Sequence, residues 1–283
     1  MFKEKGKRYL RAVRPFSFIG PAITVNLEAI LPINSFLNIF FDVRRFIIMR
    51  EITTDVQGVF SSIANNYDQL NTILSLNIDK LWRKKAVKLC NIKENDKVLD
   101  LCCGTGKMIE LECKAVGENT PVIGLDFNRE MINVGNKKLN KSLDKYKYDL
   151  IQGDAMELLF EDNTFHSITI AFGLRNIPDK RKAISEMYRV LKPGGKAVCL
   201  ELSKPEIPVL RNIYNLYFNF VLPVIGYLGT QDKAAYYYLR DSVNGFMTKR
   251  QLRREFKNIG FENSGFKSLT CGVASLHFGT KPL

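Results

Sequence analysis

Histidine is scarce in this chain of 283 residues, with only His166 and His277. The six cysteines (Cys90, Cys102, Cys103, Cys113, Cys199 and Cys271) include no C-x-x-C pair. Too few imidazoles and no paired thiols argue against a zinc site, so no metal is expected. Several of these cysteines fall inside apolar, strand-like runs. A free thiol there behaves as a small buried hydrophobe, which points to a reducing compartment such as the cytosol. An uninterrupted apolar run is also missing. Residues 16–48 are rich in Phe, Ile and Leu, but Pro21, Asn26, Glu28, Pro32, Asn34, Asn38 and Asp42 break them up. A spanning helix wants about 20 apolar residues in a row, so this stretch reads as interfacial or loosely ordered. No cleavable signal, internal repeat or low-complexity tract is evident.

Positive charge is abundant. The formal net charge is +13, and residues 1–50 hold nine Lys/Arg against three acids, Glu4, Glu28 and Asp42. We read residues 1–50 as a basic, aromatic leader, either membrane-associating or disordered, and residues 51–283 as the folded domain. The milder excess over the rest reads as a solvated basic surface. No ladder of basic and aromatic residues is present, so nucleic acid is not the expected partner.

From Val59 the texture is that of a folded domain. "IANNYDQLNTILSLNIDKLWRKKAVKL" has helical spacing and predicts one or two helices before Asn91. Strand-like "DKVLDLC", "PVIGLDF", "YDLIQGD", "FHSITIAFGL" and "KAVCLEL" then alternate with helical segments from Gly106, from Arg129 and in "DKRKAISEMYRVL", the last stopped by "KPGG". This alternation predicts an α/β fold: a doubly wound, mostly parallel, seven-stranded Rossmann-like sheet. After Pro205 the rhythm breaks. Residues 206–245 read as a helical cap insertion, with ten large apolar or aromatic residues between Ile213 and Leu228. "TKRQLRREFKNIGFE" predicts a helix stopped by Gly260, and "NSGFKSLT" with "CGVASLHFGT" predicts a closing hairpin.

The densest signal is "VLDLCCGTGK", Val98 to Lys107. A dinucleotide fingerprint needs a third glycine, and a phosphate loop needs a hydroxyl after the lysine; both are missing here. Asp100, Asp126 and Asp154 instead end three successive strands. Three acids would repel a phosphate, but they suit a ligand carrying an ammonium, a ribose diol and an adenine. S-adenosyl-L-methionine has all three. Gly104 and Gly106 let the backbone approach it, Asp126 can accept from the ribose hydroxyls, and Asp154 from the adenine amino group.

"VFSSIANNYDQLNTILS", "LDLCCGTG", "ITIAFGLRNIPD", "MYRVLKPGG", "ELSKP", "YYYLRDS" and "GVASLHFGTK" together resemble the methyltransferases that C-methylate ubiquinone and menaquinone precursors, over about residues 57–281. The resemblance implies cofactor contacts at Thr105, Asp126, Asp154, Ala155 and Ala171, the last where serine is frequent in that family. Two further departures stand out: Lys107 where an acid is common, and Asp79 where histidine is usual.

The chemistry the resemblance implies is in-line displacement on the sulfonium methyl by a carbon of a prenylated quinol, benzoquinol or naphthoquinol, without metal. Arg175 and Asn176 in "FGLRN" are placed to hold the quinol oxygen. Arg175 stays protonated and cannot be the base; its bland alternative is a surface pair with Asp179. The base is a water, an acid or His277. Tyr236 and Tyr238 flank the cap as substrate contacts or packing, and the aromatic insertion suits a prenyl tail or a homodimer interface. "LRAVRPFSF", Leu10 to Phe18, is similar to the opening of membrane prenyltransferases of menaquinone synthesis. A cytoplasmic, peripherally membrane-associated enzyme is thus expected. The alternatives are a methyltransferase of RNA or another small molecule, and a non-catalytic scaffold that binds the cofactor or the lipid.

Overall fold

The computed structural model describes residues 56–218 and 233–283, apart from the side chains of a few helical residues. The proposed boundary at residue 50, the leader and the centre of the cap lie outside these. Seven strands form one sheet: β1 (Val98–Leu101), β2 (Val122–Asp126), β3 (Tyr148–Gln152), β4 (Phe165–Ala171), β5 (Leu191–Leu202), β6 (Glu262–Leu269) and β7 (Ala274–Thr280). Their order is β3-β2-β1-β4-β5-β7-β6. The first five run parallel, and β7 lies antiparallel between β5 and β6. The doubly wound sheet and closing hairpin expected from the sequence are both present.

Helices cover both faces, as continuous apolar strands require. On one face lie α3 (Asp79–Cys90), α4 (Lys107–Val116) and α5 (Arg129–Ser142), packing Trp82, Ala86, Met108, Cys113 and Leu139. The other face carries α6 (Lys180–Val190) and α9 (Lys249–Ile259), whose Ile184, Met187, Leu252 and Phe256 join the largest core cluster. Helix α9 stops at Gly260, in the left-handed region, as its sequence suggests, and a capping box at Thr248 and Gln251 starts it.

Two expectations need adjustment. Pro193-Gly194-Gly195 does follow the end of α6, but it is carried inside β5 as an irregularity. Leu191 pairs with Phe165 and Lys196 with Ser167, so the residues between are squeezed out. The cap is also wider than the insertion. The "IANNYDQL…" stretch forms α2 (Tyr67–Leu74) and α3, with α1 (Val56–Ile63) before them. Ile63 and Leu70 of α1 and α2 form one cluster with Tyr214 of α7 (Pro208–Leu216), Phe218 and Val243 of α8 (Lys233–Gly245). Each of these short helices is amphipathic and too short to stand alone, so they bury their apolar faces on one another. Among the described residues, no helix is long and apolar enough to cross a membrane.

Strand order reverses between β1 and β4, which opens a crevice beyond their carboxyl ends. The glycine turn after β1 and the "FGLRN" loop after β4 flank it. Gly135 in the middle of α5 lets that helix press on the turn: a Cβ there would stand 3.3 Å from the carbonyl oxygen of Gly104 and 2.9 Å from Leu150 Cδ1. We expect Gly135→Val to cost about 1–3 kcal/mol of stability in denaturant unfolding through overpacking. By displacing the turn, it should also weaken nucleoside binding measured by calorimetry.

Candidate active site

The turn is built around Asp126. Its Oδ2 accepts the amide of Gly104 at 2.8 Å and its Oδ1 the amide of Asn128 at 2.8 Å. Each oxygen therefore keeps a lone pair for a ligand hydroxyl. Burial raises its pKa, and the backbone amides of Asn128, Gly104 and Phe127 pull it back toward the charged form. The turn is latched from the other side by Asp68 of α2, which accepts the Thr105 hydroxyl at 2.6 Å and the Lys138 ammonium at 2.8 Å. Asp154 accepts the amide of Met156 at 2.8 Å on Oδ1, a local turn that fixes its carboxylate.

A cavity of about 410 Å³ opens here, and Gly104, Asp126, Asp154, Ala155, Ala171 and Asn176 are all on its wall. Asp100 and Thr105 border a small recess of about 20 Å³ beside it, together with Tyr67, Asp68, Arg83 and Lys107. The recess thus mixes both signs of charge. Gly106 borders neither space and acts through the bend: it caps α4 with φ +83°.

Asp100 is buried and is not a simple surface ligand. The Thr169 hydroxyl lies 2.8 Å from Asp100 Oδ1 and 2.6 Å from Glu112 Oε1. A hydroxyl donates only once, so the second short contact needs a protonated carboxyl. Burial pushes Asp100 up to about 7 and Glu112 well above the carboxylate range. The two acids therefore share a proton near neutrality.

A second cavity of about 380 Å³ adjoins the first, and the two have Phe172 in common. Its wall is apolar and aromatic: Trp82, Tyr214, Tyr217 and Phe218 face it with Phe172. Phe172 is held in the left-handed region, φ 61°, with the Arg83 guanidinium 4.9 Å from its ring centroid.

Arg175 also borders this second cavity, and its side chain is 6 % exposed. The surface pair with Asp179 does not form. Asp179 caps α6, while Arg175 Nη1 donates to Glu201 Oε1 at 2.7 Å and to the carbonyl of Phe172 at 2.5 Å. Its amide donates to Glu201 Oε2 at 3.0 Å. Burial lowers the pKa of Arg175, but the facing Glu201 carboxylate outweighs this and leaves it raised. Its Nε–H is buried without a protein acceptor. Asn176 Oδ1 accepts the Tyr238 hydroxyl at 2.8 Å, which ties cap helix α8 to the loop.

His277 is not brought to either cavity. It lies in β7 opposite Cys199 and Phe266, donates from Nε2 to the carbonyl of Lys249 at 3.1 Å, and burial lowers it to about 4. A neutral ring spent on a neighbouring helix is structural. The Tyr236 side chain lies outside the described residues.

Sequence reasoning missed Glu201, Tyr67 and Asp68. The signal for the first was a single acid ending an otherwise apolar run, "KAVCLEL". The two departures noted above, Lys107 and Asp79, meet in space, with Lys107 Nζ 3.8 Å from Asp79 Oδ2. Each compensates the charge of the other.

A mostly parallel sheet with this switch-point crevice, a Gly-Thr-Gly turn and an aspartate at the end of the neighbouring strand is the frame of a Rossmann-like, S-adenosylmethionine-dependent methyltransferase. The chain belongs to the ubiE/COQ5 methyltransferase family, whose sequence profile matches residues 48–281. It is 48% identical over 226 residues to a demethylmenaquinone methyltransferase of Staphylococcus carnosus, covering 80% of this chain and 92% of that protein. The identity to the enzyme of the same name from Staphylococcus aureus is 46% over the same coverage. Among solved structures, a SAM-dependent methyltransferase from Aquifex aeolicus superposes with a TM-score of 0.54 at 18% identity, covering 75% of this chain and 97% of that one. The cyclase SpnF superposes at 0.56 with 13% identity, covering 81% and 95%. These two show the fold alone, and the pair illustrates that this fold hosts unlike chemistries.

The shared proton of Asp100 and Glu112 gives a testable sign. A carboxyl whose pKa rises on folding stabilises the protein fully below its unfolded value, about 3.9 for Asp. That contribution is lost as the pH climbs through the folded value of about 7. Melting temperature should therefore fall from about pH 5 to about pH 8 in wild type, and Asp100→Asn should flatten the slope.

Proposed function

We propose that the protein transfers a methyl group from S-adenosylmethionine to a ring carbon of a demethylmenaquinol, in menaquinone biosynthesis. The observation that carries this is the abutment of two unlike cavities on one residue. A polar space with a diol-accepting carboxylate meets an apolar, aromatic one across Phe172. The names of the Staphylococcus relatives support the naphthoquinol ring.

The residues present fit the cofactor. Asp126 has lone pairs left that would accept from the ribose diol, and Asp154 and Ala155, on the same wall, would hold the adenine. Beside Gly104, Asp68, Arg83 and Lys107 supply both signs of charge that would face the zwitterionic end. When bound, the cofactor supplies an electrophilic methyl group on sulfur. The chain contributes alignment and exclusion of water. Arg175, fixed by Glu201, offers its unpaired Nε–H to a quinol oxygen and stabilises negative charge as it develops there. Asn176 and Tyr238 hold the loop and cap together around it.

A lipid-tailed substrate suits work at a bilayer surface from the cytosolic side. Leu76, on the wall of the apolar cavity, is exposed, as are Ile207, Val209 and Leu216 of the cap region. Incubation with methyl-labelled cofactor and a short-chain demethylmenaquinol should give labelled menaquinol. Arg175→Ala should lower kcat by about 100-fold or more. Labelling of RNA with none of the quinol would refute the reading.

A further inference from the structure

One step of the reaction still lacks a residue: removal of the quinol hydroxyl proton, which makes the ring carbon a strong nucleophile. Arg175 stays protonated, and His277 lies away from both cavities. The apolar cavity has one carboxylate among its described lining residues, Asp79, at the start of α3. Its side chain is 3 % exposed. Three side chains hold it. Oδ1 accepts the Ser75 hydroxyl at 3.0 Å, Oδ2 faces Arg83 Nε at 3.4 Å on its own helix, and Lys107 Nζ approaches from α4 at 3.8 Å.

We infer that Asp79 is the proton acceptor for the quinol hydroxyl, with Arg83 and Lys107 as positioning residues that hold its carboxylate in an apolar wall. Burying a charge with no opposite charge beside it is costly. Here two cations stand beside it. Lys107 is divided between Asp79 and Asp68, which lies 3.8 Å away on α2, and burial lowers its own pKa. The other charged or titratable groups on this cavity are Arg175 beyond β4, Tyr214 of α7, Tyr217 just after it, and Cys271 between β6 and β7. Burial raises both tyrosines, which disfavours them as bases at neutral pH.

The step balances without an added reagent. The quinol O–H breaks with its electron pair left on oxygen, beside Arg175, and the proton passes to the Asp79 carboxylate. The ring carbon bonds to the methyl as the carbon–sulfur bond breaks, its pair leaving on a neutral thioether. The methylated carbon then loses its hydrogen as a proton, and the ring oxygen regains one from solvent, restoring the quinol. Asp79 returns its proton to water, so one proton is released per turnover.

This inference rests on the quinol reading, and the experiment separates the two. Wild type, Asp79→Asn and Asp79→His are assayed with short-chain demethylmenaquinol across pH, and cofactor binding is followed by calorimetry. Asp79→Asn should lose about 100-fold or more in kcat, bind the cofactor as wild type does, and lose the acid limb of its kcat profile. Asp79→His should recover part of the rate, with the acid limb moved up toward the imidazole range, about 6.5. Activity of Asp79→Asn within about threefold of wild type, on an unchanged pH profile, overturns the role of Asp79. Inactive wild type overturns the quinol reading instead. If Asp79→Asn fails to bind cofactor, Asp79→His decides: an acid limb that stays where wild type has it counts against the proposal.

Discussion

Glu201 is fully buried at the end of β5, and its two oxygens receive the guanidinium and the amide of Arg175 and the amide of Leu202. Breaking such a buried pair by removing one member costs about 3–5 kcal/mol, because the other charge is stranded. This contact fixes the path of the loop after β4. That path sets Phe172 between the cavities, Arg175 on one of them and Asn176 on the other. The cap docks on the same loop through Tyr238. Without the carboxylate in β5 there would be a sheet but no defined meeting place for two ligands.

Much of the fold is legible along the chain because its strands are buried on both faces. "VLDL" and "SITIA" read as short, mostly apolar runs broken only by Asp100, Ser167 and Thr169, and the helices between them show their stripes. Gly260 marks the end of α9. The Pro-Gly-Gly segment was harder. It signals a break, and locally there is one, but hydrogen bonds from Gly194 and to Gly195 against Lys281 absorb it into the sheet. Nothing near residue 193 announces a partner nearly ninety positions away.

For the site, legibility depended on the kind of contact. Asp126, Asp154 and the glycines were visible because strand ends and turns are local features. His277 misled, because a family resemblance attracts a chemical reading while its surroundings, a sheet interior against α9, are tertiary. Lys107 and Asp79 looked like two separate departures. Distance resolves them into one compensated pair, which pairwise geometry alone can reveal. The same holds for Thr169, an unremarkable strand threonine that turns out to bridge two acids.

The cap joins α1 and α2, which precede every strand, to α7 and α8, which follow the fifth. On a ribosome, then, the glycine turn and the Arg175 loop emerge long before the walls that will enclose them. A nascent chain that has finished β5 presents an open crevice with Trp82 and Phe172 in place and none of the aromatic residues from α7 onward. Enclosure waits for the last quarter of translation, when distant ends of the polypeptide finally clasp.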